Sequence, residues 1–124
     1  MISTPEDLTK WVRALFEGDV LPPKQLQELE SLVAIPSGQS ISQTLASNPQ
    51  GFGLGVLQGT DPKLGLFWTY QGSTLGFRAT YMYFLSSGAI ICIFTNSDTS
   101  GAQNHIIPNL FPAVYATLKA AGRI

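Results

Sequence analysis

Between Gly51 and Thr95 the chain alternates apolar and aromatic runs with short segments of turn-forming residues. Four runs are rich in residues that favour strands, at 51–56, 64–70, 77–85 and 89–95. Ser86-Ser87-Gly88 is typical of a hairpin turn, and the last run is apolar enough for a strand buried on both faces. The middle of the chain therefore predicts a small antiparallel sheet of three or four strands.

Helical patterns bracket this region. Thr4 or Ser3 can cap a helix that has Pro5 at its first position and ends near Gly18. Pro22-Pro23 starts a second helix, which carries an apolar face of Leu26, Leu29, Leu32 and Val33. Residues 34–50 hold few apolar anchors and are interpreted as a long loop.

Apolar residues recur at helical spacing once more, from Ile107 to Leu118. Pro108 and Pro112 predict a start near the first proline and a kink or restart at the second. The expected fold class is α+β, of the α/β sandwich type, with an antiparallel sheet of 3–4 strands flanked by N- and C-terminal helices on one face. Trp11 and Trp68 are expected to pack on the helix and on the sheet.

Composition limits the classes of function. The 124 residues are one domain in size and 44% hydrophobic, whereas charged residues make up 12% against about 25% in typical domains. This composition excludes a disordered tail, and the seven scattered Lys and Arg residues make nucleic acid or an anionic membrane unexpected partners. We expect no cofactor and no metal site, because the chain has one histidine and one cysteine.

Few residues are candidates for nucleophilic chemistry. The sequence contains no G-x-S-x-G, C-x-x-C or P-loop pattern. His105 precedes a helix in a polar loop, where an exposed or capping histidine is the more frequent role than catalysis. Cys92 lies in the most apolar run, which favours a core cysteine over a nucleophile.

The segment from Thr69 to Phe77 is the most informative for chemistry. Its small polar residues and two glycines, Gly72 and Gly76, allow backbone N–H groups to approach a ligand and to hold a developing oxyanion. An ordinary glycine-bearing hairpin is the alternative. Arg78 after the turn is either a ligand-binding residue or a solvated charge at the end of a strand.

Four segments in order resemble one known family. They are Ser3-Thr4-Pro5-Glu6-Asp7-Leu8, similar to S-T-x-x-D-L; Gly51-Phe52-Gly53-Leu54-Gly55, similar to Y-G-L-G; Gly72-Ser73-Thr74-Leu75-Gly76-Phe77, similar to G-x-x-P-G-[FY]; and Ile93-Phe94-Thr95-Asn96, similar to v-l-T-N. Together they resemble the C-terminal part of the serine β-lactamase and penicillin-binding-protein-like family, the group of class C β-lactamases, D-alanyl-D-alanine carboxypeptidases and esterases.

The resemblance implies acyl transfer, in which a serine of S-x-x-K attacks a carbonyl and a tyrosine of Y-x-N assists proton transfer. The family's third motif, K-T-G or H-x-G, falls on Tyr70, Gln71 and Gly72, and the N–H of Ser73 would be one oxyanion donor. Gly76, Arg78 and Asn96 are the substrate-binding candidates. A neutral phenol in the Lys or His position can donate a hydrogen bond but cannot anchor a carboxylate as a cation does.

No serine of the chain lies in S-x-x-K and no tyrosine in Y-x-N. We therefore expect residues 1–124 to be the C-terminal fragment of a larger β-lactamase-like domain, inactive alone, whose partner is the missing N-terminal part. The implied substrates are β-lactams, D-amino-acid peptides or small esters, and the implied location is periplasmic, secreted or membrane-tethered. A non-catalytic binding or assembly module is the alternative, and an open sheet edge would promote self-association.

Overall fold

The structure, a computed structural model, describes residues 2–35, 37–96 and 106–124. In this part of the chain the order of elements is α1 (Pro5–Phe16), α2 (Pro23–Leu29), β1 (Leu32–Ala34), β2 (Ser40–Ile41), β3 (Gln50–Phe52), β4 (Leu57–Asp61), β5 (Gly65–Thr74), β6 (Phe77–Phe84), β7 (Ile90–Thr95) and α3 (Ile106–Ala120).

The strands form one antiparallel sheet of seven strands, in the order β2-β1-β3-β4-β5-β6-β7. The prediction of a 3–4-stranded sheet is therefore wrong, although the α+β combination of helices and sheet is present. Three strands are additional, namely β1, β2 and β4, and each is two to five residues long. The strand predicted over 51–56 is present only as the short β3, Gln50–Phe52. Strands of this length carry too few residues for a period-two pattern to be visible in sequence.

The segment interpreted as a long loop, residues 34–50, contains the last residue of β1, all of β2 and the first residue of β3. Within it, Thr44 makes polar contacts with residues of β4. The Thr44 N–H donates to Gln58 Oε1 at 2.9 Å, and the Thr44 and Thr60 hydroxyl oxygens are 2.6 Å apart. At Gly51 an added Cβ would lie 3.2 Å from side-chain atoms of both Ile41 and Thr44, so the missing side chain lets the segment pack closely.

The start of α1 is the predicted one. The Thr4 side chain accepts from the Asp7 N–H at 3.1 Å, and the Asp7 carboxylate accepts from the Thr4 N–H at 3.0 Å. This reciprocal capping box satisfies amides that the helix cannot pair internally. The chain leaves the helix through Gly18, whose φ of 87° lies in the left-handed region.

Helices α1 and α3 lie on opposite faces of the sheet, and not on one face as predicted. Side chains of α1 pack on one face, where the Phe16 ring stacks on Trp68 and Tyr83 with centroids 5.4 Å from each. Helix α3 covers the other face through Phe111, which joins the main apolar cluster of Leu64, Phe67, Phe84, Ile91 and Ile93. Below, these surfaces are called the α1 face and the α3 face.

Side chains of the sheet are buried where a helix covers their face. In β7, Ile91 and Ile93 are buried against α3, whereas Phe94 on the α1 face is exposed. The prediction of a strand buried on both faces is wrong, since α1 does not extend over that end of the strand. Trp68 is buried as expected, but Trp11 is 53% exposed because Val12 and Leu15 form the buried side of α1.

The remaining boundaries differ modestly from the predictions. Helix α2 begins at Pro23 as predicted, but Leu32 and Val33 belong to β1 and not to its apolar face. Helix α3 begins at Ile106 and continues through Pro112 without a restart.

Candidate functional site

The β5–β6 hairpin carries the predicted third-motif residues. Strand β5 continues to Thr74 and was expected to break after Tyr70. The chain reverses over two residues, Leu75 and Gly76, whose φ values are 48° and 84°. The predicted residues therefore lie on a strand, in register with β6 from Tyr70↔Tyr81 to Thr74↔Phe77.

The edge of β5 is the first notable feature of this hairpin. Strand β4 accompanies β5 only as far as the pair Leu57↔Thr69, while β6 accompanies it to Thr74. The Leu85 N–H donates to Leu66 O at 3.1 Å, so even-numbered residues of β5 exchange hydrogen bonds with β6. In an antiparallel strand, the backbone N–H and C=O groups of successive residues point to opposite sides of the strand. Those of Gln71 and Ser73 are therefore directed away from β6, past the end of β4.

Side chains of the motif divide between the two faces. Tyr70 and Gly72 lie on the α1 face with Trp68, and Gln71 and Ser73 lie on the α3 face. All four residues are exposed. The motif thus combines backbone groups at the sheet edge with one phenol on the α1 face.

A row of three ionisable side chains crosses the α1 face. Tyr70, Tyr81 and Cys92 are neighbours in register on three adjacent strands. Burial, followed by the proximity of Cys92 and Tyr70, raises the pKa of Tyr81 to about 12. Tyr81 is therefore a neutral phenol at ordinary pH.

Cys92 is placed as a structural cysteine. Burial raises the pKa of its thiol, and a hydrogen bond from the Thr9 hydroxyl, 3.3 Å from Sγ, opposes this effect. A raised thiol pKa lowers the thiolate fraction, which is the nucleophilic form. The expectation that Cys92 is not the nucleophile agrees with this environment.

A mostly apolar hollow of about 420 Å³ lies beside the hairpin. Gly72 and Ala79 are paired in register, and Ala79 is paired with Phe94 on β7. Phe77 adds apolar surface beside Ala79 and Phe94, and the lining is completed by Ser73, Thr74, Arg78 and Thr95. Sequence reasoning missed Phe77, Ala79 and Phe94 as lining residues, although they share the α1 side of their strands with Gly72.

The other predicted site residues are only partly brought together. Arg78 lies in register between Ser73 and Thr95, on the α3 face, so it is a direct neighbour of the motif. Gly76 forms the turn, and Asn96 follows β7 and is exposed. His105 lies outside the described residues.

Among the described residues, no three His, Cys, Asp or Glu side chains are grouped so that they could hold a metal ion. Within the same ranges, no helix has the length and apolar character needed to cross a membrane.

Comparison with known proteins gives one match. Residues 1–110 match a family model described as Beta-lactamase. No curated protein and no solved structure matches the chain. The matched range contains α1, α2, the whole sheet and the start of α3.

Proposed function

The chain belongs to the β-lactamase family, whose function is of the serine-hydrolase type, and on that premise we propose that it supplies the substrate edge of an acyl-transferring hydrolase. In this role β5 carries the third motif, and the N–H of Ser73 is one donor to the oxyanion that forms when an amide or ester carbonyl is attacked. The substrates are β-lactams, D-amino-acid peptides or small esters.

The observation that carries the proposal is the direction of the β5 backbone. Gln71 and Ser73 direct their N–H groups toward the edge that β4 leaves at Thr69. A backbone donor at a fixed position on a strand costs no reorganisation when negative charge develops on an oxygen beside it. Gly72 between them presents no Cβ to an approaching acyl group.

The nucleophile belongs to another segment in this proposal, because none of the serines here lies in S-x-x-K. That segment would also bring the second oxyanion donor, the N–H of the nucleophile itself. The 124 residues are then the C-terminal part of the enzyme and inactive on their own.

The test begins with the coding sequence upstream of the Met1 codon and the mass of the native product. An in-frame extension with S-x-x-K and Y-x-N is expected. In that product, Ser73→Pro removes the proposed donor, whereas Ser73→Ala keeps the N–H and is the matched control. Since this N–H is directed away from β6, proline does not interrupt the hairpin ladder.

We expect Ser73→Pro to lower kcat for a p-nitrophenyl ester by about 10²–10³, and Ser73→Ala to change it only a few-fold. Equal effects of both variants would contradict the oxyanion role. A native mass near 13.4 kDa without esterase activity would contradict the enzyme proposal as a whole.

A binding or assembly module that keeps the fold is the second candidate, and Tyr70 favours it. The phenol is 42% exposed in the position where the resemblance implies Lys or His. If the enzyme proposal holds, Tyr70→Lys is expected to raise activity on carboxylate-bearing substrates relative to neutral esters, because a cation is restored. A module without catalysis would instead stay inactive with either residue.

A further inference from the structure

A second cavity, of about 410 Å³, opens on the α1 face away from the hairpin. Its wall is formed by residues at and just after the end of α2, by β1 and the segment around β2, and by side chains of β4 and β5. Trp68, Leu32 and Ile41 supply apolar surface, and Gln58 and Glu30 supply polar groups. The volume lies within the range of about 300–1,000 Å³ of small-molecule sites.

Gln58 is a buried polar side chain with one half of its amide unused. It is 5% exposed, and its Oε1 accepts from the Thr44 N–H and the Thr44 hydroxyl, at 2.9 and 3.3 Å. The donor is a backbone N–H, so the oxygen is fixed on the Thr44 side and the Nε2 group is on the other side. Among the described residues, Nε2 has no acceptor.

In the described part of the chain no buried side-chain nitrogen or oxygen lacks a hydrogen-bond partner, so the Nε2 group of Gln58 is open to solvent and can donate to water or to a ligand. Because Gln58 lines the cavity, a carbonyl oxygen inside the cavity would accept from this group.

Glu30 supplies a hydrogen-bond acceptor to the same cavity, where Gln58 supplies a donor. It follows α2 directly, and the last turn of that helix has no basic residue. Neither of the two ion pairs in the described part of the chain involves Glu30. A carboxylate beside the negative end of a helix dipole, outside both of these ion pairs, attracts an ammonium group.

Ser31 adds a second acceptor at the same wall. Its hydroxyl donates to Glu28 O at 2.7 Å, so the lone pairs of Oγ are left to accept. The cavity therefore has acceptors on the α2 side, a donor at Gln58 and an apolar surface at Trp68, Leu32 and Ile41.

From this pattern we propose that the cavity binds a small α-amino amide: the ammonium on Glu30 and Ser31, the carbonyl oxygen on the Nε2 of Gln58, and the side chain against Trp68. An amino acid amide or the N-terminal residue of a peptide has this chemistry. The site does not use Tyr70, Gln71 or Ser73 and stands independently of the proposed hydrolase.

The test is a titration of the ¹⁵N-labelled 124-residue chain with L-leucinamide, followed by NMR. The indole N–H of Trp68 is expected to shift, while that of Trp11, 53% exposed on α1, stays in place and is the internal control. N-acetyl-L-leucinamide lacks the ammonium and isopentylamine lacks the carbonyl. Each is expected to bind about tenfold more weakly, or worse, since a charge-assisted or buried hydrogen bond is lost.

Glu30→Gln is expected to weaken leucinamide binding by about tenfold or more. Glu28→Gln is the matched control, because Glu28 is exposed in the last turn of α2 and does not line the cavity. The ligand series on the unaltered chain gives an answer even if a variant does not fold. No shift at Trp68, or equal affinity for all three ligands, would overturn the proposal. Equal binding by Glu30→Gln and Glu28→Gln would remove Glu30 from it.

Discussion

Leu75 adopts a backbone conformation that leucine rarely takes. Its φ is 48° and its side chain is 94% exposed, so no packing compensates for the strain. Two-residue hairpin turns of this kind favour Asn followed by Gly, and Gly76 is already in the second position. The family pattern has proline where this chain has Leu75, and a proline ring fixes φ near −65°. This turn therefore differs from the pattern in geometry as well as in residue type.

Replacing Leu75 with asparagine is expected to stabilise the protein by about 1 kcal/mol, because asparagine tolerates the left-handed region. Leu75→Ala is the control, since alanine removes the exposed side chain but keeps the strain. The free energy of unfolding from urea denaturation measures both. If Leu75→Asn were no more stable than Leu75→Ala, the strain would not be the cause.

Glu30 gives the stability a pH dependence of known sign. Burial raises the pKa of its carboxyl above the ordinary value of 4.5. The native state then holds the proton more tightly than the unfolded chain, so this residue's contribution to stability falls as the pH rises from 4.5 through the raised pKa.

Glu30→Gln is neutral at every pH, so its stability relative to the unaltered chain should increase over that same interval. Unfolding midpoints of both proteins at pH 4 and pH 7 measure the difference. A constant difference between the two pH values would show that Glu30 is as well solvated in the native state as in the unfolded chain.

At the scale of elements, the stability of α1 depends on the hydrogen bonds of its first turn. Asp7 and Thr4 form the capping box, and hydrogen bonds from the Thr4 side chain and backbone lower the pKa of Asp7. Most of the other face of the helix is solvated, so the cap and the contacts of Val12 and Phe16 with the sheet fix its position.

Thr4→Ala removes the side-chain oxygen that accepts from Asp7 N–H and is expected to destabilise the protein by about 1 kcal/mol. Ser3→Ala, one residue earlier, is the control, because Ser3 makes only a 3.4 Å contact with Thr4 O. Thermal unfolding followed by circular dichroism compares them. Equal melting temperatures for the two variants would assign the cap no role.

At the scale of the whole molecule, β7 is the end strand of the sheet in the described part of the chain. The Phe84 N–H donates to Ala89 O at 2.9 Å, so by alternation Ile90, Cys92 and Phe94 direct their backbone groups outward. Phe94 is also 38% exposed. An apolar strand with an outward edge recruits another strand, which supports the proposal of self-association.

Phe94→Lys is expected to reduce self-association, because a charge on an edge strand opposes pairing with a second copy. Phe52→Lys is the matched control, since Phe52 is similarly exposed, at 40%, but lies on β3 inside the sheet. Sedimentation velocity over a range of concentrations measures the dimer fraction. A monomer at all concentrations for the unaltered chain would contradict the prediction.

The sequence by itself determined the features that depend on local chemistry. The cap at Thr4, the prolines at the start of α2, the hairpin turn at Ser86–Gly88 and the strand Phe77–Phe84 each depend on neighbouring residues. The ordered segments from Ser3 to Asn96 predicted the family that the match over residues 1–110 confirms. Such signals survive in a sequence because capping, turn formation and alternation act over a few residues.

Only the tertiary structure decided which distant residues meet. The short strands β1, β2 and β4 are defined by their pairing partners in the sheet. Thr44, between β2 and β3, bonds to Gln58 and Thr60, and no short-range sequence pattern indicates those partners. The face that each helix covers decided that Trp11 is exposed and that Phe94 lines a hollow. The outward direction of Gln71 and Ser73 likewise depends on where β4 ends, because a strand's edge is defined by its neighbour and not by its own residues.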